Sequence, residues 1–166
     1  MKRLHWTLVV AALLALAAGF IPLHALEVRQ SGGAGRVVFL ARVTPGDTFT
    51  LSFIHSVEKS EVTDYFRIDD DHRIILYQTE FGSLNTGLPA VVSDGETFSR
   101  TERGFRLSNP GRVLPEIQLW VHEDHGGSLA MGGKVFSLPA LAGNGLLRIS
   151  TRIVFAWELL PWALRT

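Results

Sequence analysis

The chain has 166 residues, 46% hydrophobic and 19% charged, with sixteen basic residues balancing sixteen acidic ones. That is enough for one domain with a real core and too apolar for disorder, and the even charge argues against a nucleic-acid protein, which needs a basic face. There is no cysteine, which excludes a disulfide framework, a thiol nucleophile and a lipid-bearing cysteine.

The N-terminus has the pattern of an export segment. Lys2 and Arg3 precede a fifteen-residue apolar run, Thr7 to Ile21, closed by Pro22. Leu23-His24-Ala25 offers a small residue for cleavage. Extended from Leu4 to Leu26, the run reaches the ~20 residues of a bilayer span. Residues 1–26 are therefore expected to be a signal peptide or a membrane anchor, and either places residue 27 onward outside the cytoplasm.

From there the pattern is β. Arg36 to Val43 predicts a strand, and Pro45-Gly46-Asp47 a turn. In Thr48 to Ile54, Phe49, Leu51 and Phe53 alternate with Thr48, Thr50 and Ser52, the period of a half-buried strand. Val62 to Ile68 follows across a charged turn. Asp69-Asp70-Asp71 leads to Arg73–Phe81, making an antiparallel meander. Gly82 to Asp94 reads as a long loop and Thr97 to Leu107 as a hairpin. Asn109-Pro110-Gly111 reads as a turn. Shorter strands are expected at 117–122, 128–131 and 134–138, and a last one over Leu146–Trp157. The expected fold is an all-β, antiparallel sandwich or barrel-like domain over 27–157. Residues 158–166 form an apolar tail, either a simple extension of the core or a surface where Trp157, Leu160, Trp162 and Leu164 meet a membrane interface or a partner.

Little of this supports catalysis. His55 and Ser56 are neighbours on a strand and point to opposite faces, and no Gly-x-Ser-x-Gly elbow is present. His55 and Asp64 both fall on the apolar parity of adjacent strands, so pairing across the hairpin would let imidazole and carboxylate meet. Such a pair either closes one end of the domain or forms one wall of a pocket. His122-Glu123-Asp124-His125 gathers metal donors, but at a Gly-Gly turn where polar residues collect through solvation; zinc sites usually draw on separated positions. No metal and no cofactor are expected, His122 and His125 being the candidates for any metal. The glycines of Gly82 to Pro89 permit backbone amides to face a ligand, without the strand-to-helix setting of a nucleotide loop.

An N-terminal apolar segment, Phe53-Ile54-His55-Ser56-Val57, an acidic residue nine positions after the histidine (Asp64) and Gly87-Leu88-Pro89 together resemble a small bacterial family, the eighteen-fifty class of domains of unknown function. Asn85-Thr86 stand where the family loop has Gly-Ala. Members are often encoded beside TRAP transporters of the TAXI type. The family has no established activity, so the resemblance implies a context and not a reaction. Together with the export segment it points to a periplasm-facing accessory protein, tethered to the inner membrane, that binds the transporter's membrane subunit or its solute-binding protein. No enzyme is expected, because no nucleophile, metal set or cofactor motif is convincing. It singles out His55, Ser56, Asp64, Gly87, Leu88 and Pro89 as binding or docking residues. The alternative is a stand-alone periplasmic module for small ligands with a pocket at the His55/Asp64 end.

Overall fold

The computed structural model describes residues 2–32, 35–55, 59–83, 95–102 and 104–163. A helix, α1 (Lys2–Gly19), leads into strands β1 (Pro22–Gln30), β2 (Val37–Arg42), β3 (Thr48–Ile54), β4 (Glu61–Ile68), β5 (Ile74–Phe81), β6 (Thr97–Thr101), β7 (Gly104–Leu114), β8 (Ile117–Val121), β9 (Ser128–Met131) and β10 (Lys134–Ser137). A short helix, α2 (Leu138–Ala142), then precedes β11 (Gly145–Phe155) and α3 (Ala156–Ala163). The protein is mostly β, in two antiparallel sheets. One has four strands in the order β2-β1-β11-β8, the other seven in the order β10-β9-β3-β4-β5-β7-β6.

The two sheets share one core. Alternation sends Leu26 and Val28 of β1 and Leu147 and Ile149 of β11 against Phe49 and Leu51 of β3 and Phe66 and Ile68 of β4. Phe49 and Phe66 are cross-strand partners whose rings stack at 4.8 Å. The other face of the four-stranded sheet is covered by α3, whose Leu159 and Trp162 pack on Ala25, Leu40 and Val154.

Three sequence expectations differ from the structure. Strand β1 begins at Pro22, inside the segment expected to be signal or anchor up to residue 26, and Ala25 and Leu26 are wholly buried. Its four apolar residues before Glu27 merge with the preceding run, which hides the start of the strand. The expected turn at Asn109-Pro110-Gly111 lies inside β7: Ser108 pairs with Gln78 and Arg112 with Leu76, so the extra residues form a bulge, where proline is tolerated and Gly111 supplies its φ of +130°. The last strand ends at Phe155, two residues early. The Glu158 carboxylate accepts the Phe155 N–H at 2.8 Å and caps the start of α3. The expected tail thus splits into inward Leu159 and Trp162 and outward Trp157 and Leu160, while Leu164 lies outside the described residues.

Chain direction gives the body two ends. The Val43 N–H donates to the His24 carbonyl at 2.9 Å before the turn into β3, so β3 starts at the end where β1 starts and β11 finishes. This near end also holds the β4–β5 turn, where His72, with φ +59°, stacks on His24 at 3.6 Å. The far end gathers the finish of β3, the start of β4, the finish of β8 and the start of β11.

Candidate functional site

Hairpin register decides what His55 can reach. Phe53 pairs with Val62 and Ile54 with Glu61. The hairpin closes on His55 itself, whose N–H donates to the Ser60 carbonyl and whose carbonyl accepts the Lys59 N–H, both at 2.9 Å. Lys59 takes the left-handed φ of +51° that this closure requires. Asp64 therefore faces Leu51, not His55. It lies four residues back along the strand, ~13 Å. The expected His55–Asp64 pair does not form. Sequence parity allowed looser registers that keep the same faces together, and the stacking of Phe49 on Phe66 selects the tighter one.

Asp64 is instead tied to its other neighbour. Its carboxylate accepts a hydrogen bond from Thr79 Oγ1 at 2.6 Å, and the two residues are cross-strand partners on the core side of β4 and β5. Burial pushes the Asp64 carboxyl above the ordinary aspartate range, against the opposing pull of the Thr79 hydrogen bond.

His55 borders a hollow of about 280 Å³ at the far end, formed with Phe53, Ile54, Leu119, Trp120, His125 and Gly126. The finish of β3 supplies one wall and the finish of β8 the other. Trp120 is 70% exposed on an edge strand, because Ile117, Leu119 and Val121 take the inward parity of β8 and leave Gln118 and Trp120 outward. The opening suits an apolar side chain, with His55 and His125 among the residues that line it.

His122 caps the 3-10 turn Glu123–His125: its Nδ1 accepts the Asp124 N–H at 3.2 Å and lies 3.4 Å from the Asp124 carboxylate. Asn144 Oδ1 accepts the Glu123 N–H at 3.0 Å. Only His125 of the two metal candidates borders the hollow, and among the described residues no group of three or more His, Asp or Glu could hold a metal ion. Ser56, Gly87, Leu88 and Pro89 lie outside the described residues. A second hollow of about 220 Å³, on the outer face of the seven-stranded sheet, is lined by Glu61, Thr63, Tyr65 and Glu80 among others. There Glu80 is already held by the Tyr65 hydroxyl at 3.1 Å and by Arg106 at 2.7 Å.

Sequence reasoning missed two features. Trp120 was legible as an aromatic residue on the polar parity of its strand. The other is a charged cluster under α3. Glu27, 4% exposed, takes Arg29 Nε at 2.7 Å and Arg152 Nε at 2.6 Å, and Arg152 reaches on to Glu158 at 3.1 Å. Burial pushes the Glu27 carboxyl up, but the hydrogen bonds and charges of Arg29 and Arg152 outweigh it and hold the carboxyl below the usual glutamate value. Glu27 and Arg29, two apart on one strand face, are the local part of this cluster, but Arg152, 125 residues away, is not signalled locally.

Residues 49–138 match the family described as Domain of unknown function (DUF1850), more than half of the chain. The chain belongs to that family. The matched stretch runs from β3 to the first residue of α2, and so takes in the seven-stranded sheet, the β3–β4 hairpin and both walls of the hollow. Strands β1, β2 and β11 lie outside it. No curated protein and no solved structure matches the chain.

Proposed function

We propose that this DUF1850 protein is a periplasm-facing, membrane-tethered β-sandwich that assists a TRAP-type solute carrier of the TAXI kind by docking one of its subunits at the far end. The observation that carries this reading is Trp120, exposed beside His55 over an apolar hollow. An exposed tryptophan at a concave apolar spot is the kind of side chain that anchors protein interfaces. The far end stands away from α1 by the length of β11, ~36 Å for eleven residues. That separation favours the soluble solute-binding protein over the membrane subunit as the docked partner. The role needs no cofactor and no catalytic group. The test is co-purification of the tagged chain with the transporter subunits: Trp120→Ser is expected to reduce recovery of the solute-binding protein at least tenfold, with the fold intact by circular dichroism. A wild-type chain that never co-purifies, and whose deletion leaves uptake intact, rules the reading out.

The second reading, a stand-alone module for small ligands, draws on the same hollow and its two imidazoles. At about 280 Å³ the space sits below the ~300–1,000 Å³ of ordinary ligand pockets, and Asp64 does not contribute to it. A rise in melting temperature with small carboxylates that His55→Ala abolishes would favour this reading over docking.

A further inference from the structure

The near end carries a surface of a different kind. Helix α1 is apolar on every side after its first residues, and Leu8, Val9, Leu13 and Leu16 are all exposed. A helix without a polar face requires an apolar surrounding on all sides. Its apolar surface does not stop at Gly19. The Phe20 ring meets Phe155 edge-on at 5.9 Å, Gly19 lies against Trp157, and the Ala156 N–H donates to the Ile21 carbonyl at 3.0 Å. Phe20, Ile21, Phe155, Trp157 and Leu160 are each between 44% and 66% exposed. They form a rim where α1 meets α3.

Cleavage in this region conflicts with the sheet. Scission after Ala25 would remove Pro22, Leu23, His24 and Ala25, which pair with Phe155, Val154, Ile153 and Arg152. It would also place a new charged amino group on Leu26, which has no exposure at all. An isolated charge in an apolar core is prohibitively costly.

We propose that α1 is retained and that the rim of Phe20, Ile21, Phe155, Trp157 and Leu160 is a seat for the lipid interface. Among the described residues no helix is long and apolar enough to cross a membrane. The apolar part of α1, residues 7–19 after Lys2, Arg3 and His5, reaches ~20 Å, short of the ~30 Å hydrocarbon layer. The rim supplies the missing apolar depth on the outer side, with Trp157 at the level that tryptophan favours. Lipid fits better than a second copy of the chain, because a partner helix covers one side of α1 and lipid covers all of them. The seat deepens the tethering assumed in the proposed function.

Two measurements test it on the full chain. The intact mass of the protein recovered from bacterial membranes is expected to include residues 1–25; a product beginning near Leu26 overturns the proposal. In phosphatidylethanolamine–phosphatidylglycerol vesicles with brominated acyl chains, a variant keeping only Trp157 (Trp6→Phe, Trp120→Phe, Trp162→Phe) is expected to lose at least half its fluorescence. A variant keeping only Trp120 is expected to lose none. Equal behaviour of the two, or an unquenched Trp157, sinks the seat. Neither readout involves a transporter, so a failed co-purification leaves the seat standing and an unquenched Trp157 leaves the docking site standing.

Discussion

Glu27 and Asp64 are acids on central strands of the two sheets, and the protein treats them in opposite ways. Glu27, on the outer face of the four-stranded sheet, is enclosed by α3 and gripped by two guanidinium groups. Asp64, on the inner face of the seven-stranded sheet, holds a threonine hydroxyl. Burial raises both carboxyls, and only Glu27 has enough positive charge beside it to reverse the effect. The first site is an ionised clasp between strand and helix. The second is a carboxyl held toward its neutral form within the sheet.

The largest expected break in this contrast is Glu27→Ala, which strands Arg29 and Arg152 against a covered face. It should cost about 3 kcal/mol in urea denaturation, as for removal of one partner from a buried charged cluster. Next is Arg152→Met, which frees both Glu27 and Glu158 and should cost about 2 kcal/mol. Combined with Glu27→Ala the loss should be well short of additive, since the two act on one network. Asp64→Asn has the opposite sign: it keeps an acceptor for Thr79, removes a charge that burial opposes, and should stabilise at pH 7 by about 1 kcal/mol.

pH sharpens the same comparison. The Glu27 carboxyl is lowered when folded, so its contribution is present above the unfolded value of 4.5 and is lost as pH falls through the folded one. The Asp64 carboxyl is raised, so the native state binds the extra proton and stability falls as pH climbs from the unfolded value of 3.8 through the folded one. The cost of Glu27→Ala should therefore shrink as pH drops below 4.5, while the gain from Asp64→Asn should be larger at pH 7 than at pH 4; parallel pH profiles for the two variants would refute the distinction. The smallest stability effect belongs to Trp120→Ser, within about 0.5 kcal/mol by thermal melting, because an exposed side chain on an edge strand has little packing to lose.

Period-two patterning made much of the seven-stranded sheet legible. The β3-β4-β5 meander follows from the alternation around Phe49, Leu51 and Phe53 and from the aspartate-rich turn. What it left open is translation along the strand. His55–Asp64, His55–Val62 and the observed Ile54–Glu61 alignments all keep the apolar faces together, so parity could not tell them apart. Strand β1 was hidden because Pro22–Leu26 is as apolar as the helix before it. The Glu27 clasp was hidden because, of its two arginines, only Arg29 is a neighbour in sequence and Arg152 comes from the other end of the chain. The hollow needed both the finish of β3 and the finish of β8, and only Trp120's position opposite to Leu119 and Val121 gave a local hint of it.

The placement of β1 between β2 and β11 has a kinetic consequence. Among the described strands it is the first to leave the ribosome, and β11, its partner along its whole length, is the last. Glu27 and Arg152 are 125 residues apart, a contact of high order that loop-closure entropy makes slow to form. The four-stranded sheet therefore cannot be completed until β11 has been made, whereas the β3-β4-β5 meander can fold by local steps. A retained α1 would hold the waiting strand at the bilayer surface throughout that interval, keeping an unpaired apolar edge apart from other nascent chains.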